Sequence, residues 1–133
     1  MTAILLLLMR AESQARANAA ADARAIASRI RGKLVELSHR KGVPHLASSL
    51  SCADILTAAY WSGALRLDPE RPRDPDRDRF ILSKGHAAPA LYVALALRGF
   101  FPEELLDTLS EPGSVIPEQP SPGAILSLIH ISE

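Results

Sequence analysis

Four histidines, a single cysteine and fifteen carboxylates are the side chains with which this 133-residue chain could move protons or hold ions. His86 is the best placed of them. It lies in DRFILSKGHAAPALY, directly after Gly85, where the apolar run Phe80-Ile81-Leu82 gives way to a helix. In open α/β sheets, ligands collect at the carboxyl ends of strands. A helix start also presents unpaired N–H groups and a partial positive charge, which favour anions and disfavour a second positive charge on an imidazole. An uncharged His86 could therefore donate a hydrogen bond to a phosphate or substrate oxygen. Spacing alone equally allows a histidine that caps or bridges local backbone.

The other candidate chemistries fall away. His39 sits near a helix C-terminus, where a cation is favoured, and His130 lies in the last residues; neither has neighbours at metal-ligand spacing. There is no Walker loop, Cys-X-X-Cys pair or nucleophile elbow, and Ser83-Lys84-Gly85 lacks the glycine pattern of a phosphate loop. Cys52 has no partner for an internal disulfide, which suits a reducing compartment, and it reads as a buried small hydrophobe.

The elements that would position these residues follow from periodicity. Between Glu12 and Arg40 there is no proline, alanine is abundant, and Ile26, Ile30, Leu34 and Leu37 recur at three or four residues, so a helix is expected until Gly42 and Pro44. Ser51 and Asp54 suggest a capping box for a second helix whose apolar face is Ala53, Leu56, Ala59 and Tyr60, stopping at Gly63. Residues 67–79, LDPERPRDPDRDR, read as a surface loop. Residues 80–82 read as a short buried strand, and Pro89 opens a helix through Leu91, Tyr92, Leu95 and Ala96 to Gly99. Pro102, Glu103 and Glu104 signal a further helix ending near Ser110, and the prolines of residues 111–123 preclude regular structure.

Apolar residues at 47% and charged residues at 23%, with formal charge zero, give no bulk attraction to nucleic acid or membrane. Arg16, Arg24, Arg29, Arg31, Lys33, Arg40 and Lys41 nevertheless crowd one segment against Asp22 and Glu36. They read as a solvated helix face, with a salt-sensitive nucleic-acid binder as the alternative. The opening MTAILLLLMR is far short of a bilayer span and a poor signal peptide, so an extended start, with Met9 as an alternative initiator, is the expectation.

DRFILSKGHAAPALYVAL resembles the transketolase segment in which a strand leads into a Gly-His pair at the thiamine diphosphate site. HLASSLSCADIL is similar to an earlier segment of that family, with His45 on the substrate-contacting histidine. Pro44 replaces a common Gly, and Leu46, Ala47 and Ser48 replace a Pro-Gly-Gly run, which bears on substrate more than on fold. The His45-Leu46 start also resembles deoxyxylulose phosphate synthases, while the remainder favours the split, two-subunit transketolase type. GSVIPEQPSPG is similar to the loop carrying Gly-His-Pro, with Glu118 and Gln119 replacing Gly-His. Gln119 can donate a hydrogen bond to a sugar hydroxyl but cannot take up and release a proton as imidazole does, which suggests an altered donor substrate.

The resemblance implies an α/β fold: the N-terminal, mostly helical part of a three-layer thiamine diphosphate-binding domain. Residues 1–22 would be an extension, 23–123 part of that domain, and 124–133 a non-native tail. It implies a transferase of carbohydrate metabolism that moves a two-carbon ketol unit from a ketose phosphate to an aldose. His45 and His86 would be the catalytic residues: His45 and Gln119 would contact substrate, and His86 with Gly85 would lie at the cofactor diphosphate, His86 also near the reacting carbon. The divalent metal, Mg2+ or Ca2+, would be held by a downstream Gly-Asp-Gly segment and an Asn that this sequence does not contain. The implied partners are sugar phosphates and a C-terminal transketolase subunit, in a cytoplasmic dimer or heterotetramer without nucleic acid or membrane. A non-catalytic helical interaction fragment is the remaining alternative. Residues 126–133, LSLIHISE, can be back-translated as CTG TCT CTT ATA CAC ATC TCC GAG, a string that resembles a transposase library adapter. The natural frame is therefore expected to continue beyond about Gly123.

Overall fold

A computed structural model describes the backbone of residues 2–116 and 129–130, and the side chains of residues 9–116. Helix α1 (Thr2–Lys41) begins earlier than periodicity suggests, because the leucines of the opening run are good helix formers. Residues 9–22 lie wholly in solvent, and burial begins only at Ala27, Ile30, Leu34 and Leu37. The helix ends at Gly42, whose φ of 64° only glycine adopts readily and whose N–H donates to the Ser38 carbonyl at 3.0 Å.

A short helix that the sequence reading did not anticipate, α2 (Leu46–Leu50), follows. Helix α3 (Ala53–Trp61) starts behind Cys52 without a side-chain cap, so the expected Ser51–Asp54 capping box does not form. The Ser51 hydroxyl instead donates to the Ser48 carbonyl at 2.8 Å, and Asp54 accepts from the Arg31 guanidinium. A charged partner on α1 outcompetes a neutral cap.

The Asp-rich loop is irregular but pinned at its ends. Arg66 N–H donates to the Asp78 carboxylate at 2.6 Å, and Asp78 N–H returns a bond to the Arg66 carbonyl at 3.0 Å. Strand β1 (Phe80–Ile81) pairs in parallel with β2 (Ile129–His130). Those are two-residue strands, and the other regular elements among the described residues are helices.

A 3₁₀ turn (Gly85–Ala87) leads into α4 (Ala88–Arg98), with Pro89 in its first turn. Residues 88–96 are all buried, as an all-apolar helix requires, so α4 is the axis of the core. It contacts α1, α2, α3 and the segment after it. Gly99 at φ 93° closes it: Gly99 N–H reaches the Ala96 carbonyl and Phe100 N–H the Leu95 carbonyl, both orphan acceptors of the last turn.

The segment Glu103–Thr108, expected as an α-helix, is a 3₁₀ helix. Three residues per turn place Leu106 and Leu109 one above the other, and both are buried against the core. This segment also engages the basic face of α1. Arg29 meets Glu103 at 3.8 Å, Arg40 meets Asp107 at 2.9 Å, and Lys41 meets Glu111 at 2.6 Å. The face read as merely solvated therefore ties two elements together while remaining at the surface. Cys52, expected to be buried, is half-buried beside the core. Among the described residues, no helix is long and apolar enough to cross a membrane.

Candidate functional site

His45 and His86 are brought together. Their ring centroids lie 4.2 Å apart with planes tilted by 55°. His45 immediately precedes α2 and follows Pro44, a residue that disfavours helical backbone at the position before it. It adopts φ 63°, ψ 32°, the left-handed region that costs a residue with a Cβ about 1–3 kcal/mol. That conformation turns the chain sharply, so the His45 carbonyl accepts from Ser49 N–H at 3.2 Å and opens α2. His86 occupies the middle of the 3₁₀ turn, and both imidazoles are exposed.

The two rings share a cavity of about 10 Å³ with Val43, Pro44, Gly85, Pro89, Leu109 and Ser110. A volume of this order admits roughly one water-sized group. A Cβ added at Gly85 would meet nothing within 4 Å, so space beside the rings is open at that point. The nitrogens of two exposed imidazoles can donate to or accept from oxygen-rich groups on a ligand. Among the described residues, no group of three or more His, Cys, Asp or Glu could hold a metal.

The sequence reading did not anticipate Ser110. It is the second non-glycine residue at positive φ, at 64°, and it lines the same cavity as His45. No residue-type rule singles out a serine for this conformation, although the nearby Pro112 and Gly113 mark a turn. Lys84, next to Gly85, donates to the Ser51 hydroxyl at 3.0 Å and so ties the 3₁₀ turn to the end of α2. Gln119, the third expected ligand contact, lies outside the described residues.

Two buried hydroxyls have no partner, Ser49 Oγ and Tyr92 OH. Burial raises the Tyr92 phenol above its ordinary value. An unsatisfied buried hydroxyl costs about 1–3 kcal/mol, so both are local energetic liabilities.

Residues 22–123 match the transketolase, thiamine diphosphate binding domain. The 6-deoxy-6-sulfo-D-fructose transketolase subunit of Clostridium sp. (strain MSTE9) is 50% identical over 88 residues, which are 66% of this chain and 32% of the relative. An apulose-4-phosphate transketolase subunit of Phocaeicola vulgatus is 42% identical over 91 residues, 68% of this chain and 32% of that relative. The transketolase of Pongo abelii is 38% identical over 96 residues, 72% of this chain and 15% of that enzyme. The chain thus spans at most about a third of the length of these relatives. With a domain match covering most of its residues, the chain belongs to the transketolase N-terminal, thiamine diphosphate-binding domain family.

Proposed function

We propose that this chain is the opening part of a transketolase subunit that moves a two-carbon ketol unit from a ketose phosphate to an aldose acceptor. The observation that carries the reading is the pairing of His45 with His86 beside the open side of Gly85. Thiamine diphosphate, when bound, supplies a carbanion nucleophile and an electron sink.

The residues present suit that cofactor at one edge of its site. Gly85 leaves room for close approach, and His86 would donate to an oxygen of the diphosphate or of the reacting centre. His45, on the opposite side of the shared cavity, would orient a substrate hydroxyl or carbonyl oxygen. Donors fixed in place before reaction stabilise charge as it develops without having to reorganise. The divalent metal, Mg2+ or Ca2+, would be held by downstream residues, in a complete three-layer α/β domain. By itself the 133-residue chain would not turn over.

Relatives named as subunits support a second polypeptide; it would supply the rest of the active site, and the complete enzyme would be a cytoplasmic dimer or heterotetramer. Gln119 in place of an imidazole would tune the donor: an amide holds a sugar hydroxyl without exchanging its proton. Residues 1–22 would be an extension of the domain, and residues 124–133, beyond the family match, would be foreign to it.

The test is to read the genomic locus past the codon for Gly123 and express the continued frame with its partner polypeptide. Thiamine diphosphate binding and two-carbon transfer from a ketose phosphate are then measured. A continued frame with a Gly-Asp-Gly segment, cofactor binding and transfer is the expected result. A stop directly after Glu133, or a continued chain that binds no thiamine diphosphate, would sink the reading.

A further inference from the structure

We infer that the ion pairs Lys41–Glu111 and Arg40–Asp107 form a strap that sets the separation of the two walls of the histidine cavity. One of these walls is Val43-Pro44-His45 and the other is Leu109-Ser110, with Gly85, His86 and Pro89 completing the lining. Arg40 and Lys41 are the last residues of α1, separated from the first wall only by Gly42. Asp107 and Glu111 bracket the second. The pairs close at 2.9 Å and 2.6 Å, so each wall is held at its own margin by the other.

The second wall is anchored apolarly by the buried Leu106, Leu109 and Ile116, and the ion pairs are its charged ties to α1. Its backbone bonds run within its own segment: Leu109 N–H to the Leu106 carbonyl at 3.2 Å, Glu111 N–H to Thr108 at 3.0 Å, and Ser110 N–H to Ile116 at a long 3.4 Å. Ser110 is at φ 64°, a conformation that persists only where its surroundings over-determine it. Leu109 supplies apolar anchorage, since it is 2% exposed, but a buried leucine is not directional. The ion pairs add the direction.

Arg40 is itself held, because Glu36 one turn back on α1 accepts from it at 2.7 Å and aims the guanidinium at Asp107. The looser Arg29–Glu103 contact at 3.8 Å lies at the far end of the segment, so the grip is firmest beside the cavity. Arg40 and Lys41 line no part of the cavity. They are positioning residues, acting on a ligand only through the wall they hold. The relevance of the strap to a ligand rests on the proposed histidine site, but the strap itself can be read directly.

The experiment uses the 133-residue chain and site-resolved amide exchange by NMR, with the ring-proton shifts of His45 and His86 recorded alongside. Lys41→Glu and Glu111→Lys should each raise exchange at Leu109, Ser110 and Glu111 by about two- to fivefold, the range expected for an exposed pair. Each should also move the His45 ring resonances. The Lys41→Glu/Glu111→Lys swap should restore both. Raising NaCl to about 1 M, where the screening length is only about 3 Å, should reproduce the single-variant effect in the wild-type chain and add little to either variant. Arg71→Glu, which removes the loop pairs with Asp68 and Asp74, should leave both readouts in place.

If Lys41→Glu prevents folding, Lys41→Met, which keeps the aliphatic stem, gives the same readout. The strap is refuted by single variants without effect, by a swap that fails to restore protection, or by exchange rising equally in the core amides of Leu91 to Leu95. Wild-type amides at 109–111 with no protection would refute it as well. Thiamine diphosphate is absent from every arm. A chain that shows the strap but binds no cofactor when extended overturns the proposed function and leaves the strap standing.

Discussion

His45 and His86 face one another at 4.2 Å between ring centroids, although one ring opens α2 and the other sits in the turn ahead of α4. Neither ring is held there by a long helix of its own. The left-handed backbone at His45 and the Lys84–Ser51 hydrogen bond bring the two short elements together. A group resting against the shared edge of the two touching rings can reach nitrogens of both.

Replacing either histidine with leucine keeps much of the ring's bulk and removes its nitrogens. In the complete enzyme, His86→Leu should lower two-carbon transfer by about 10²- to 10³-fold, the usual loss when one preorganised donor is deleted. Both rings are exposed, so the thermal midpoint should move by no more than a few degrees. Transfer within threefold of wild type would remove His86 from the site.

Much of this arrangement is legible in the sequence, and the rest is missing for identifiable reasons. Ile30, Leu34 and Leu37 announce the buried stripe of α1, and Pro89 and Gly99 announce both ends of α4, because local chemistry decides them. The capping box at Ser51 fails because Arg31, distant in sequence, claims Asp54. The helix expected after Pro102 tightens to 3₁₀ because Leu106 and Leu109 must both reach the core within a short span. Ser110 is invisible beforehand, since a serine at positive φ obeys tertiary packing and no local preference. The contact between His45 and His86 could not be had from spacing, and the family resemblance assigns each a role without bringing the rings together.

Tyr92→Phe should stabilise the chain by about 1 kcal/mol. The phenol is fully buried and its OH has no hydrogen-bond partner, so its removal deletes a desolvation cost while keeping the ring's packing. Urea unfolding followed by circular dichroism measures it. A loss of stability of similar size would mean that the hydroxyl has found a partner.

Acid should weaken the surface of α1 in a defined window. Arg40, and then Lys33, hold the Glu36 carboxyl below its ordinary range, and Arg31 does the same for Asp54. A lowered folded-state pKa means that the folded chain binds fewer protons than the unfolded one. The stabilisation is therefore complete above the ordinary carboxylate values of about 4 and is lost as pH falls through the lowered ones. Both groups are exposed, so the slope should be shallow. Glu36→Gln should flatten the unfolding free energy between about pH 5 and pH 2. An unchanged slope in that variant would assign the acid sensitivity elsewhere.

Gly99→Ala should destabilise the chain by about 1 kcal/mol or more, because φ 93° is strained for any residue with a Cβ. Its added Cβ would come no closer than 4.0 Å to Pro69, so backbone strain and not steric clash sets the cost. Gly99→Asn, which tolerates positive φ better, should lose less. Equal losses for the two variants would point to the space around residue 99 instead.

His45→Gly should separate stability from function. Histidine at φ 63° carries a backbone cost that glycine does not, and the exposed imidazole gives up little packing when removed. Releasing that strain should raise the unfolding free energy by about 1 kcal/mol, partly offset because glycine gains freedom in the unfolded chain. The same variant in the complete enzyme should lose turnover, because the imidazole opposite His86 is gone. His45→Ala keeps the strain and loses the ring, so it should be less stable than His45→Gly and equally inactive. If His45→Gly proves no more stable than His45→Ala, residue 45 is not strained in solution. If both retain turnover, the left-handed turn serves only to start α2.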